Sequence, residues 1–175
     1  MSESKPLTAF QIANAVRYRV CRPGSFTMKN TFVAGSPWEA DVLRVLKSGY
    51  WHEYEIKLSV SDYRADFQKK VTGWKADSAR KHDFYKSDAV LWHRDVHGPA
   101  YRNSKAIIPK PATFHFVTPA GLLDGIALPD HVGLIEVAER ARGAVLDCKT
   151  IKRAPRLKSP TKLSWAQLFN LCLKK

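Results

Sequence analysis

Three residues from two neighbouring segments have the types and spacing needed for metal-dependent hydrolysis. Asp41 ends the segment Glu39-Ala-Asp, and Glu55 and Lys57 lie in the segment Glu53-Tyr-Glu-Ile-Lys. Carboxylate oxygens are the ligands that Mg²⁺ prefers, and a bound divalent ion lowers the pKa of a water molecule and neutralises phosphate oxygens. A neighbouring lysine can position that water or stabilise charge that grows on the phosphate. These residues therefore predict the hydrolysis of a phosphodiester.

Two strands of a hairpin would position this set. Residues 40–46 and 50–58 are predicted to be the strands, and Gly49 supplies the left-handed backbone that a three-residue loop at 47–49 requires. Side chains of a strand alternate between two faces, and this register collects apolar residues on one face. They are Val42, Leu46, Tyr50, Tyr54, Ile56 and Leu58. A two-residue loop would place Asp41 among them, where an unpaired carboxylate is unfavourable.

The same register places the two predicted metal ligands opposite each other. Leu43 then faces Glu53, and Asp41 faces Glu55 with the Cβ atoms roughly 5 Å apart. A hard divalent cation between the two carboxylates would relieve their repulsion. Glu39 faces the lysine, either as a third metal ligand or as a salt-bridge partner, and the sequence leaves both alternatives open. Glu53 is predicted to lie on solvated strand surface.

The charge of the chain favours a polyanionic partner. Lysine and arginine number 29 against 16 acids, a formal net charge of +13, and nucleic acid is the commonest partner of so basic a chain. The positive charge is concentrated in residues 68–86 and in residues 148–175, which contain no acid. The residues predicted to contact DNA are Lys69, Lys70, Lys75, Arg80, Lys81, Lys152, Arg153, Arg156 and Lys158.

Several other classes of protein are disfavoured by the sequence. Cys21, Cys148 and Cys172 are scattered and odd in number, which argues against a disulfide scaffold and against structural zinc. The six histidines show no metal-binding spacing, and Asp62 and Asp66 are predicted to be solvated helix positions that pair with Lys69 and Lys70. No stretch approaches the roughly 18 apolar residues of a membrane span. We therefore expect a cytoplasmic protein of a bacterium or a phage-infected cell, with no membrane partner.

The order of predicted elements indicates one α/β domain over residues 1–175. The further elements are helices over 9–20, after Ser59 and after Ser164, and strands over 31–34, 113–118 and 132–137. This order predicts a central mixed sheet flanked by helices. Residues 87–111 are predicted to be an irregular insertion, and residues 148–175 a basic C-terminal segment.

Part of the sequence resembles a known family. The run from Glu55 to Phe67, Glu-Ile-Lys-Leu-Ser-x-Ser-Asp-Tyr-x-Ala-Asp-Phe, resembles the PD-(D/E)XK nuclease superfamily, closest to small bacterial and phage members of the MmcB-like type. The segments 114–122 and 128–135 match later strands of that family, so that the likeness covers roughly residues 36–138. It implies a restriction-endonuclease-like core.

The resemblance also implies a site. Asp41 and Glu55 would be metal ligands, Lys57 the catalytic lysine, and Mg²⁺ the cofactor, with Mn²⁺ as a substitute. Many members place a further glutamate on the first helix, but residues 8–20 contain no acid. Gln11 could replace it, although its place in the capping box Thr8-Ala-Phe-Gln explains it without chemistry.

The expected function is therefore metal-dependent hydrolysis of DNA, in DNA repair, recombination or phage DNA processing. One alternative is a junction-resolving nuclease, which would act as a homodimer. A second alternative is a catalytically inactive, nuclease-like protein that only binds DNA, and the missing first-helix glutamate keeps this alternative open.

Overall fold

A computed structural model gives the fold of the chain. It describes residues 6–21, 24–33, 38–68, 80–87, 92–93, 106–107, 109–140 and 145–173. The helices are α1 (Ala9–Ala15), which continues into a π-helical turn (Val16–Val20), α2 (Val60–Asp66), α3 (Lys81–Lys86) and α4 (Trp165–Leu173). The strands are β1 (Phe26–Phe32), β2 (Glu39–Val45), β3 (Trp51–Ile56), β4 (Trp92–His93), β5 (Ala106–Ile107), β6 (Thr113–Pro119), β7 (Val132–Glu139) and β8 (Leu146–Lys152).

Six strands form one mixed sheet in the order β1-β2-β3-β6-β7-β8. The central strands β3, β6 and β7 are parallel, and the outer pairs are antiparallel. Strands β4 and β5 form a separate antiparallel pair. The predicted α/β class, with a mixed sheet flanked by helices, is confirmed. Most of the predicted insertion at 87–111 lies outside the described residues.

One face of the sheet packs against α1. The helix begins at a capping box in which the Thr8 hydroxyl accepts from the Gln11 amide and the Gln11 side chain accepts from the Thr8 amide, as predicted. Ile12 and Val16 pack with Val42, Tyr54, Ile56, Val117 and Ile135. These strand residues alternate with those of the opposite face, so this cluster fixes which side chains of β3 point away from α1.

The opposite face packs against the other three helices. An aromatic cluster joins Tyr63 of α2 and Phe84 of α3 to Phe114 and Phe116 of β6. Farther toward β1, Leu163 and Leu171 of the last segment pack on Leu43, Val45 and Trp51. Strand β3 is therefore covered on both faces, and its polar residues must find partners inside the protein.

The hairpin between β2 and β3 has the predicted loop, and the predicted register holds from that loop to the pair of Val42 with Tyr54. Gly49 has φ +83°, its amide donates to Leu46 O at 2.9 Å, and the Leu46 amide donates to Tyr50 O at 2.8 Å. Leu43 pairs with Glu53. The three-residue loop at 47–49 is confirmed.

The short strands β4 and β5 lie in the predicted irregular insertion and were not predicted, and three longer elements also differ from the prediction. Strand β1 begins at Phe26 rather than at residue 31, α3 was not predicted, and β8 was not predicted. Helix α3 has six residues, too few to show a helical period. Strand β8 is an edge strand that alternates between exposed and partly exposed residues, so it lacks the apolar run that marks a covered strand.

Candidate active site

Polar side chains of three elements converge on the face of the sheet opposite α1. Glu53 and Glu55 lie on β3, and Lys57 follows it, with its amide donating to Val117 O at 2.9 Å. Because side chains of a strand alternate, these three share one face. Asp66 comes from α2 and Lys81 from α3, and each of the five residues is at most 3% exposed. We call them the buried carboxylate–lysine cluster.

Lys57 lies between two carboxylates. Its ammonium donates to Glu55 Oε1 at 3.1 Å and to Asp66 Oδ1 at 3.0 Å. The exposed carboxylate of Asp62 lies 3.7 Å away. The sequence prediction placed Asp66 on a solvated helix face; this is wrong, because Asp66 is fully buried. Its carboxylate and that of Glu55 together fix the ammonium of Lys57.

Lys81 joins the two glutamates of β3. Its ammonium lies 2.7 Å from Glu53 Oε1 and 3.3 Å from Glu55 Oε2, and 4.8 Å from the centre of the Phe114 ring. The prediction that Lys81 contacts DNA is wrong for this structure, because the side chain has no exposed surface. A buried ammonium needs carboxylate partners to offset the loss of hydration, and the two glutamates supply them.

Glu53 is the most enclosed carboxylate of the cluster. The Tyr85 hydroxyl donates to Glu53 Oε2 at 2.5 Å, and the Trp38 indole in turn donates to Tyr85 at 2.8 Å. Glu53 has no exposed surface. Its predicted position on solvated strand surface is therefore wrong, because α3 covers this face of β3.

Two histidines extend the cluster away from Lys57. His82 Nε2 lies 2.8 Å from Asp66 Oδ2, and His82 Nδ1 lies 3.0 Å from Nε2 of His131, at the start of β7. An ionised carboxylate only accepts, so His82 carries its proton on Nε2. A chain of hydrogen bonds therefore runs from Lys57 through Asp66 and His82 to His131.

Burial sets the protonation of this cluster. Burial raises the pKa of Glu53, opposed by Lys81 and reinforced by Glu55. Burial alone would lower the pKa of Lys81, but the surrounding carboxylates outweigh it and the pKa is raised. Burial lowers the pKa of His82 despite Asp66, and it lowers that of His131 to about 4. At neutral pH Lys81 is therefore charged and both imidazoles are neutral.

Asp41 lies where β2 and β3 separate. The ladder between these strands ends at Val42 and Tyr54, so the predicted direct pair of Asp41 with Glu55 does not form. Instead Asp41 Oδ2 accepts from the Ile56 amide at 2.7 Å. Asp41 also lines a groove against α1 with Lys29 and Asn30. Asn30 has φ +47°, a local irregularity of β1 beside this separation.

The structure separates Glu39 from the predicted site. Glu39 is exposed and pairs with Phe32 of β1, whereas the Lys57 ammonium contacts Glu55, Asp62 and Asp66. Among the described residues Glu39 therefore forms no salt bridge with the lysine, and its role as a metal ligand stays a prediction. Within the described ranges no three His, Cys, Asp or Glu side chains are grouped so that they could hold a metal ion.

The predicted DNA-contacting residues have different positions. Arg80, Arg153, Arg156 and Lys158 are exposed. Lys152 is partly exposed, and its ammonium donates to Pro129 O at 2.6 Å and to Leu128 O at 3.3 Å. Lys69, Lys70 and Lys75 lie outside the described residues.

Sequence reasoning missed Asp66, Lys81 and the histidine pair. Asp66 follows Tyr63 by three positions on α2 and therefore lies on its buried face, so the helical stripe contained a signal. Lys81 and Tyr85 are four apart on α3 and reach the same glutamate. This four-residue spacing could have predicted that Lys81 and Tyr85 lie on the same helix face only if α3 had been predicted.

Comparisons with known proteins give a fold and no function. No family model matches the chain, and no curated protein sequence matches it. A solved structure, described as SPO1766 protein of unknown function from Silicibacter pomeroyi, is similar with a TM-score of 0.53 and 17% identity. The match covers 99% of this chain and 85% of that protein. In the part of the chain that the structure describes, no helix is long and apolar enough to cross a bilayer.

Proposed function

We propose that this protein is a metal-dependent nuclease that hydrolyses phosphodiester bonds in DNA. The observation that carries the proposal is the position of Glu55 and Lys57 at the carboxyl end of β3, beside the point where Asp41 separates β2 from β3. A carboxylate and an ammonium fixed side by side, with a second carboxylate on the neighbouring strand, suit phosphodiester hydrolysis.

The proposal assigns the metal ion to Asp41 and Glu55, and joint binding requires one side chain to move, because Asp41 lines the groove against α1 whereas Glu55 lies on the opposite face of β3. Both offer carboxylate oxygens, and Asp41 is only half buried, so the donor types fit Mg²⁺ or Mn²⁺. Each Glu55 oxygen also lies within 3.3 Å of an ammonium group, so a bound cation must compete with Lys57 or Lys81. When bound, the ion would supply a water molecule of lowered pKa and would neutralise phosphate oxygens.

Lys57 has a defined task in this proposal. Asp66 and Glu55 hold its ammonium from two sides, at 3.0 and 3.1 Å, and these contacts restrict the rotamers of a flexible side chain. The positioned ammonium can then donate to an attacking water or to a phosphate oxygen. Asp66 is a positioning residue, because its contacts are with Lys57 and His82.

The exposed cations of the C-terminal segment would bind the DNA backbone. Arg153, Arg156 and Lys158 are exposed, and the segment 148–175 contains no acid. Phosphate contacts of this kind position nucleic acid without reading its sequence. Binding should therefore weaken as salt concentration rises.

A second candidate function is DNA binding without cleavage. It is favoured by the compensation of both Glu55 oxygens by ammonium groups and by the burial of the cluster, since Glu55 and Lys57 are 3% and 2% exposed. Because both oxygens of Glu55 are already paired with lysines, this carboxylate needs no metal ion for stability.

The test is cleavage of linear duplex, single-stranded and four-way-junction DNA in Mg²⁺, in Mn²⁺ and in EDTA. The nuclease proposal expects cleavage that requires metal and is abolished by Asp41→Asn, Glu55→Gln and Lys57→Ala. Glu139→Gln, which changes an exposed carboxylate at the end of β7, is the matched control and should cleave normally. Cleavage confined to the junction would identify a junction-resolving enzyme.

Binding measured beside cleavage decides between the two candidates. DNA binding by a well-folded protein that cleaves none of the substrates in either metal would refute the nuclease and support the binding protein. Cleavage that survives in Lys57→Ala would refute the assignment of the lysine.

A further inference from the structure

The outer face of α4 presents large aromatic side chains to solvent. Trp165 is 87% exposed and Phe169 is 64% exposed, and residues four apart lie on one face of a helix. The opposite face of α4 is covered, because Leu171 is buried against the sheet and Leu168 packs beside it. The helix is therefore held by its buried face, and its two aromatic rings are accessible to a partner.

A group of cations surrounds Tyr50, the residue that follows the hairpin loop. The guanidinium of Arg156 and the ammonium of Lys162 lie 4.3 and 5.2 Å from the centre of the Tyr50 ring, and both residues are exposed. Burial, followed by the charges of Arg44 and Arg156, lowers the pKa of His52 to about 4. The positive charges at this place thus repel further positive charge, and an anion would relieve that repulsion.

The hairpin loop brings these cations next to α4. The Leu163 amide donates to Gly49 O at 2.9 Å, so Lys162 and Trp165 lie within two residues of this contact. Lys47 of the same loop lines a groove together with Trp165. We call the combined region the loop–helix surface, and its residues are Lys47, Tyr50, Arg156, Lys162, Trp165 and Phe169.

The loop–helix surface has the charge and the ring chemistry of a nucleic-acid site. Its residues come from two stretches, 42–52 and 148–175, and neither stretch contains an aspartate or a glutamate. A surface built in this way complements a polyanion. Proteins bind single-stranded nucleic acid with such a combination, because bases stack on aromatic rings while phosphates contact the cations.

The aromatic rings favour a single strand over a duplex. Trp165 and Phe169 are about 6 Å apart along the helix axis, wider than the spacing of about 3.4 Å between stacked bases of a duplex strand. Neighbouring bases cover each other in a duplex, so a protein ring can stack only on a base that has left the duplex stack.

Two other occupants fit the loop–helix surface less well. A helix that lies in a membrane interface carries lysine and arginine on its polar face, whereas the segment Trp165–Leu173 contains no charged residue. A second copy of the chain would bring the same cations of two copies together, and like charges at an interface are unfavourable.

We infer that the loop–helix surface binds single-stranded DNA. Bases of the strand stack on Trp165 and Phe169. Phosphates of the same strand contact Lys47, Arg156 and Lys162. The inference deepens the proposed nuclease function by naming its substrate as a single strand, and it rests on that function for the choice of DNA.

Binding of fluorescently labelled dT15 to the full chain in EDTA, followed by anisotropy, tests the inference without metal-dependent cleavage. Trp165→Ala should weaken binding about tenfold, and Trp165→Phe, which keeps a ring, should restore most of the affinity. Leu173→Ala is the matched control. It removes an exposed apolar side chain from the same helix face without removing a ring, and the affinity should stay unchanged.

The salt dependence of binding separates stacking from phosphate contacts. Lys162→Ala removes one phosphate contact and should reduce the slope of log affinity against log salt by about 0.7. Trp165→Ala should leave this slope unchanged, because the indole carries no charge. Binding of the duplex of dT15 with dA15 should not respond to Trp165→Ala, since paired bases are closed to the ring.

Three results would overturn the inference. The first is undetectable dT15 binding at micromolar concentration by a chain that thermal melting shows to be folded. The second is unchanged dT15 affinity in Trp165→Ala. The third is equal weakening by Trp165→Ala and Leu173→Ala, which would identify an apolar docking site for lipid or protein.

These outcomes are separable from those of the proposed function. Binding of dT15 that depends on Trp165, in a chain that cleaves no DNA, leaves the inference standing and refutes the nuclease. Metal-dependent cleavage of single strands that Trp165→Ala leaves unchanged, together with unchanged dT15 affinity, leaves the nuclease standing and refutes the inference.

Discussion

Replacing Lys81 by methionine tests whether this lysine stabilises the buried cluster. Methionine keeps an unbranched side chain against Phe114 but removes the ammonium that lies 2.7 Å from Glu53 and 3.3 Å from Glu55. Two carboxylates then remain in a site with almost no exposed surface. Removing one partner of a buried ion pair destabilises a protein by about 3–5 kcal/mol. That loss is a large fraction of the roughly 5–15 kcal/mol by which a domain is stable.

The loss in free energy of unfolding is measured by urea denaturation at pH 7, with tryptophan fluorescence as the signal. A second substitution, Glu53→Gln, removes one of the two carboxylates. The double variant should therefore be more stable than Lys81→Met alone, with a coupling of about 0.5–3 kcal/mol in a double-mutant cycle. Lys149→Ala, on exposed β8 surface, should change stability by less than about 0.5 kcal/mol.

The loss should also depend on pH. Burial already raises the pKa of Glu53, and the loss of Lys81 raises it further. A carboxyl group with a raised folded-state pKa stabilises the protein below its unfolded pKa, and this contribution disappears as pH rises through the folded pKa. Lys81→Met should therefore be less destabilising at pH 5 than at pH 8. A loss below about 1 kcal/mol that is equal at both pH values would refute the role given to Lys81.

Three further predictions follow from contacts in the same sheet. Asp66→Asn removes the carboxylate shared by Lys57 and His82 and should destabilise the protein by about 3–5 kcal/mol; an unchanged urea midpoint would contradict this. Burial lowers the pKa of His52, His115 and His131 to about 4, so stability present above pH 6.5 should be lost as pH falls toward 4. The free energy of unfolding should fall by at most about 1.4 kcal/mol per pH unit for each proton that is taken up. Urea denaturation that shows no loss of stability down to pH 4.5 would contradict this prediction. Gly133→Ala would place a Cβ in steric overlap with His115 Cδ2 and should lower the free energy of unfolding by about 1–3 kcal/mol; an unchanged melting temperature would contradict this.

Local sequence signals predicted the elements that depend on neighbours along the chain. The capping box at Thr8 and the loop at Gly49 are each decided within four residues, and both are confirmed. The apolar face of the hairpin was predicted correctly in part, because Val42, Tyr54 and Ile56 pack together whereas Leu58 is exposed. Signals of this kind require no knowledge of what lies on the far side of the sheet.

The site was harder to predict because both faces of β3 are covered. Glu53, Glu55 and Lys57 suggested a solvated face, since charged residues are seldom fully buried. Leu43, Val45 and Trp51 share that face in the predicted register, and all are buried. Those apolar residues were the available sign that the face is covered. They do not show which element covers it, and α3 was absent from the prediction.

The cluster also bears on what the net charge means. Lys81 is 26 residues from Glu55 in the sequence, and no local pattern predicts that the two residues pair. The net charge alone therefore suggested that Lys81 lies on the surface. The error does not weaken the case for a polyanionic partner. The cluster contains two ammonium groups and three carboxylates, so it holds more negative than positive groups, and the excess of +13 comes from residues elsewhere. The residues to test for DNA binding are therefore the exposed Arg153, Arg156 and Lys158, whereas Lys81 should be tested for stability.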